Sequence, residues 1–125
     1  FQGETGPYIQ YTYVRTKSVL EKAEYTPKFE NIKIEKLLDE YSLHVLKLIY
    51  SFEDTLIQVT EKNEPSILSR YLIDLSKAYS SFYNENKIID EDKDVQNARV
   101  YLTYATGKVL KQGAELLGMQ MPEKM

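Results

Sequence analysis

The sequence predicts an all-α protein, a helical bundle of four to six helices. Three observations carry that expectation. Apolar residues recur at three- and four-residue spacings over long stretches. No segment sustains the alternation of apolar and polar residues that a strand needs. Most of the prolines and glycines fall at the edges of the periodic stretches, where they punctuate helices.

The first helix is expected from about Pro7 to Glu24, with Thr5 or Gly6 as its cap and the proline tolerated in the first turn. Its apolar stripe is Ile9, Tyr13, Thr16, Leu20 and Ala23. A second stripe, Tyr8, Tyr11, Arg15, Ser18 and Lys22, is aromatic and cationic. Residues 25–33 hold Pro27 and Asn31 and read as a loop. A helical region follows over about 34–62, with breaks expected near Asp39–Ser42 and Ser51–Asp54. Leu38, Leu43, Leu46, Ile49, Tyr50, Leu56, Ile57 and Val59 would face inward.

The third strong helix runs from about Pro65 to Asn86, capped by Asn63 or Glu64. Leu68, Leu72, Leu75, Tyr79 and Phe82 form its stripe, widened by Ile67, Tyr71 and Ala78. Residues 87–93 make an acidic turn with Asp90, Glu91 and Asp92. Asp94 would then cap a last helix over about 95–117, with Ala98, Leu102, Ala105, Val109 and Leu116 inward. Gly107 and Gly113 inside that helix each cost about 1 kcal/mol against alanine. Gly118 is a natural left-handed stop, and Pro122 prevents resumption.

Composition narrows the function. The 125 residues suit one domain, and 42% hydrophobic with 28% charged residues is too apolar for a disordered tail. No apolar run approaches the ~18 residues of a membrane span, so a soluble protein is expected; the expected location is cytoplasmic. The chain has no cysteine and one histidine, His44, which excludes disulfides, a cysteine nucleophile and a multi-histidine metal site. Phosphate loops and nucleophile elbows are missing too. The acidic run at 90–94 lacks the spacing and glycine of a calcium loop, and adjacent carboxylates in a polar turn are ordinarily solvated surface. A net charge of −3 argues against a grip on nucleic acid by bulk charge. Of the 15 aromatics, 11 are tyrosine, so the tyrosines deserve the closest reading. The Tyr8–Tyr11–Arg15 face offers flat rings, hydroxyls and a guanidinium, which is what an unstacked single-stranded base needs. Helix-on-helix packing with hydroxyls at the rim is the plainer use of the same residues.

Four segments carry a resemblance to one family. Gly3-Glu4-Thr5-Gly6-Pro7-Tyr8-Ile9-Gln10-Tyr11-Thr12-Tyr13-Val14-Arg15 resembles the start of the anticodon-binding domain of arginyl-tRNA synthetases. Leu116-Leu117-Gly118-Met119-Gln120-Met121-Pro122-Glu123-Lys124-Met125 resembles that family's C-terminus. Glu64-Pro65-Ser66 with Arg70-Tyr71-Leu72, and Ser81-Phe82-Tyr83-Asn84, are similar to its third long helix. The sequence departs from the family at Tyr13 and Val14, commonly histidine and alanine, and at Ser66, commonly histidine.

The resemblance implies an all-α domain of the DALR type over residues 1–125, part of a longer synthetase with its catalytic domain upstream. It implies binding to the anticodon loop of arginine tRNA, read mainly at the central cytidine. Tyr11, Arg15, Tyr83 and Met125 are the tRNA-binding residues the resemblance implies, with the methionine side chain and carboxylate lining the pocket, and Tyr8 is expected to join them as part of the same face of the first helix. ATP and Mg²⁺ would serve the parent enzyme, an arginine–tRNA ligase; no cofactor is expected on this segment, and the domain is expected to be monomeric. Two rival readings stand beside it: an anticodon-binding module of another synthetase or a stand-alone paralogue, and a helical protein-interaction domain.

Overall fold

The apolar stripe of residues 65–86 organises the bundle. The computed structural model describes residues 5–24 and 31–125. Within them the elements are α1 (Thr5–Lys22), a 3₁₀ turn (Ile34–Leu37), α2 (Glu40–Tyr50), α3 (Phe52–Lys62), α4 (Pro65–Glu85) and α5 (Lys93–Leu116), with no strand among the described residues. The helix α4 touches all four other helices, and α1 lies across both α4 and α5. Leu68, Leu72, Leu75, Tyr79 and Phe82 are all buried, and Tyr71 and Ala78 widen the stripe as the spacing predicts. The expected loop at 25–30 lies outside the described residues.

Several boundaries move. The helix α1 already includes Thr5 and Gly6, so neither caps it. Asp92, not Asp94, caps α5: its Oδ1 accepts from the backbone N–H groups of Asp94 (2.9 Å) and Val95 (3.3 Å). Glu64 sits at the cap position of α4 without a side-chain bond, while Asn63 closes α3 in the left-handed conformation at φ 53°. Gly118 (φ 82°) stops α5 as expected. Met119 N–H returns to Ala114 O (2.9 Å) and Gly118 N–H to Glu115 O (3.0 Å), which satisfies two carbonyls of the last turn.

The inward set of the 34–62 region needs correction. Leu38, Tyr50 and Ile57 are exposed, and Leu37, Val45 and Thr55 take the core. The cause is phase. The 3₁₀ turn and the break at Ser51 each restart the helical count, and a one-residue shift turns a side chain by about 100°. Leu116 is likewise exposed, in the last turn of α5. Leu48 O, in the last turn of α2 before the break, accepts from Ser51 N–H (3.1 Å) and from the Ser51 hydroxyl (2.9 Å), and Tyr71 reaches from α4 to add its own hydroxyl at 2.5 Å, which ties the end of α2 to α4.

The two glycines inside α5 have a packing reason. An added Cβ at Gly113 would stand 2.7 Å from Leu72 Cδ2, and one at Gly107 would stand 2.6 Å from Thr16 Oγ1. Thr16 is fully buried, and its hydroxyl donates to Tyr13 O at 2.6 Å, so it is not free to swing aside. Close approach of α1 to α5 therefore requires glycine at 107. Gly107→Ala gains roughly 1 kcal/mol of helix propensity but meets an overpacking cost of about 1–3 kcal/mol. The expected result is a net loss of about 1 kcal/mol by chemical denaturation. Adding Thr16→Ala should recover part of it; strict additivity of the two substitutions would refute the steric account.

Candidate nucleic-acid interface

The aromatic–cationic stripe of α1 stays outside the core, as its position beside the apolar stripe requires. Tyr11 is 60% exposed, Arg15, Ser18 and Lys22 are exposed, and Tyr8 is half-buried with its hydroxyl 3.4 Å from Ser80 Oγ on α4. The Arg15 guanidinium lies over the Tyr83 ring, 4.5 Å from its centroid, in cation–π contact. Tyr83 in turn leans on Tyr79 (6.3 Å between centroids), and Tyr79 on Phe82 (5.6 Å). The exposed Arg15 and half-buried Tyr83 are thus seated on a fully buried aromatic base.

Around this pair lies a hollow of about 560 Å³, lined from α1 by Arg15, Ser18, Val19 and Lys22 and from α4 by Tyr83. Asn86 and the segment Lys87–Ile89 close it. The charged residues of this lining are all cations, and none is acidic. The wall at 87–90 is held from behind by Arg99 of α5, whose Nη1 donates to Lys87 O at 2.6 Å and stands 3.8 Å from an Asp90 carboxylate oxygen.

The acidic turn, the feature least suited to RNA, is consumed by structure. Asp92 caps α5, Asp90 accepts from Asp92 N–H (2.9 Å) and pairs with Arg99, and Asp94 pairs with Lys33 at 3.0 Å. Among the described residues, no group of three His, Cys, Asp or Glu side chains could hold a metal ion. His44 is exposed on α2.

The structure joins Arg15 with Tyr83, sets Tyr8 and Tyr11 on the same face of α1, and leaves Met125 elsewhere. Met125 is 60% exposed and outside the lining of the hollow. The tail that carries it is fastened to another flank of α1. Gln10 Nε2 donates to Gln120 O (2.9 Å), the Tyr13 hydroxyl to Glu123 (3.4 Å), and Lys17 stands 3.7 Å from the same carboxylate. This accounts for Tyr13: its ring is buried and its hydroxyl pins the tail. Burial first, then the Glu123 charge, pushes the Tyr13 phenol above its ordinary pKa and keeps it a donor.

Asn86, Lys87, Ile88 and Ile89 escaped sequence reasoning. They follow the last turn of α4 with no periodic signal of their own, and reach the hollow only because the chain turns back beside α1.

These features define an all-α bundle with a cation-lined aromatic hollow beside its first helix. The family model of the DALR anticodon binding domain matches residues 9–125, and the chain belongs to that family. It is 51% identical to an arginine–tRNA ligase of Halothermothrix orenii over the whole chain and 22% of that protein. It is 39% identical to the arginine–tRNA ligase of Alkaliphilus metalliredigens, again over the whole chain and 22% of the relative. Among solved structures, Thermus thermophilus arginyl-tRNA synthetase superposes with a TM-score of 0.85 at 26% identity, covering 100% of this chain and 22% of that one. The arginyl-tRNA synthetase of Plasmodium falciparum gives 0.81 at 29% identity, over 99% of this chain and 22% of that one. The chain therefore spans about a fifth of the length of these relatives.

Proposed function

We propose that this chain is the anticodon-reading domain of an arginine–tRNA ligase, and that residues 1–125 form one such domain of a longer, cytoplasmic, monomeric enzyme. Family membership and full-chain identity to arginine–tRNA ligases support that reading. The single observation that carries the mechanism is the Arg15–Tyr83 pair inside a hollow whose charges are all positive. An unstacked base of the anticodon loop stacks there, with Tyr8 and Tyr11 extending the aromatic face and the three cations taking neighbouring phosphates. Met125 contacts the loop from the exposed tail, outside the hollow. ATP and Mg²⁺ belong to the catalytic domain upstream. The contribution of this domain to aminoacylation is positional: anticodon contacts supply binding energy and orient the acceptor end at a distant site.

Titration of the chain with an arginine-tRNA anticodon stem-loop tests this. Replacing the central cytidine with uridine is expected to weaken binding by about tenfold, the size of one lost base-specific contact. Equal binding of the two loops would overturn the proposal. One observation favours the alternative of a helical protein-interaction domain: a hollow of about 460 Å³ between α3 and α5, lined by Phe52, Leu56, Gln112, Glu115 and Leu116. Under that reading neither loop would bind.

A further inference from the structure

Resting on the proposed reading, we infer that Asn86 is the residue that tells a cytosine from a uracil in the hollow, and that Asp39 holds it in the orientation to do so. Asn86 ends α4 and lines the hollow beside Tyr83 and Lys87. Its side-chain amide nitrogen is committed. It donates to Asp39 Oδ2 (3.4 Å) and to Phe82 O (3.2 Å), one turn back on its own helix. An amide group carries two N–H donors and one carbonyl acceptor. With both donors engaged by Asp39 and Phe82, Oδ1 is the side-chain polar atom Asn86 has left to offer a ligand.

The orientation is over-determined. Asp39 caps α2, accepting from Ser42 N–H at 3.1 Å and from Ser42 Oγ–H at 2.7 Å. Burial pulls the Asp39 carboxyl upward, but the bonds from Ser42 and Asn86 outweigh it and hold its pKa below the ordinary value. It stays an ionised acceptor at neutral pH. A flipped Asn86 amide would set its oxygen against that carboxylate and against Phe82 O, acceptor against acceptor twice. The flip is therefore disfavoured by the whole α2–α4 junction.

The chemistry of the base follows. The Watson–Crick edge of cytosine carries an exocyclic amine, a donor, where uracil carries a carbonyl, an acceptor. Asn86 Oδ1 accepts from the first and repels the second. A neutral acceptor also suits this position better than a carboxylate, because the surrounding phosphates are anionic. Arg15, Lys22 and Lys87 supply the donors that the remaining acceptors of the base and its backbone need. The acceptor that sequence reasoning assigns to the carboxylate of Met125 is, in the hollow, supplied by Asn86.

The test uses three anticodon stem-loops that differ only at the central base: cytidine, uridine, and a pyrimidin-2-one riboside that lacks the amine. The wild-type chain is expected to favour cytidine over both by about tenfold, the cost of an unpaired acceptor. Asn86→Ala should bring the three within about twofold of one another, since the group that distinguishes them is gone. Asp39→Ser keeps a cap for α2 but no longer reaches Asn86, so it should lose most of the preference while its thermal unfolding midpoint stays close to wild type. Asp39→Asn, whose oxygen can still accept from Asn86, should restore it. A wild-type preference that survives intact in both Asn86→Ala and Asp39→Ser would overturn the inference and leave the anticodon reading standing. No preference in the wild type would overturn both.

Discussion

Replacing Tyr79 with alanine is expected to cost about 3–5 kcal/mol, the largest stability loss of any single truncation considered for this fold. Tyr79 is fully buried and is the largest such side chain among the described residues. Its ring meets Phe82 and Tyr83, and its hydroxyl is bonded to Thr103 Oγ1 of α5 at 3.1 Å. Burial drives its phenol above the ordinary pKa. The alanine variant loses ring packing and opens a cavity where α4 faces α5. Tyr79→Phe separates the contributions. It keeps the ring, and Thr103 still donates to Arg99 O at 3.0 Å, so the loss should be near 1 kcal/mol. Equilibrium unfolding in urea measures both. Similar losses for the two variants would place the energy in the hydroxyl and contradict the packing account. Because Tyr83 rests on Tyr79, the alanine variant is also expected to loosen the hollow, visible as weaker RNA binding in the fraction that remains folded.

Tyr83→Leu should weaken anticodon stem-loop binding by about 1–3 kcal/mol, roughly five- to 150-fold, while stability changes little. Tyr83 is half-buried, so leucine keeps most of the apolar contact with Tyr79 but removes the flat face on which Arg15 now lies and on which a base would stack. Tyr83→Phe should bind nearly as the wild type does, because the ring is retained. In a longer enzyme the same leucine variant should impair tRNA charging while arginine and ATP binding persist. Wild-type RNA affinity in Tyr83→Leu would show that the ring is only a support for Arg15.

Tyrosine excess and negative charge, the two compositional features that point in opposite directions, are reconciled by position. Tyr13, Tyr71 and Tyr79 are core residues whose hydroxyls reach Glu123, Leu48 O and Thr103. Tyr11 stands in solvent and Tyr83 under Arg15. Asp92 of the 90–94 turn caps a helix, and Asp94 and Asp90 pair with Lys33 and Arg99, so net charge describes the hollow poorly.

By itself the sequence determined the elements that depend on local periodicity and local backbone chemistry. The stripe of α4 was legible residue by residue, because a long uninterrupted helix keeps its phase. The stop at Gly118 was legible because a left-handed residue is a property of one position. The aromatic–cationic face of α1 was legible as a face, and the resemblance of four segments named its family. Tertiary structure alone decided what happens where phase is lost and where distant segments meet. Leu37 replaces Leu38 in the core because a 3₁₀ turn precedes α2. Asn86 and Lys87 join Arg15 across about 70 residues of sequence because α1 packs beside the end of α4. The tail crosses 110 residues to reach Tyr13, which carries Met125 away from the hollow. Periodicity specifies which side of a helix is apolar. Which neighbour covers that side, and which polar atoms are thereby brought together, is settled by the competition of all elements for one core, and that information is not local to any segment.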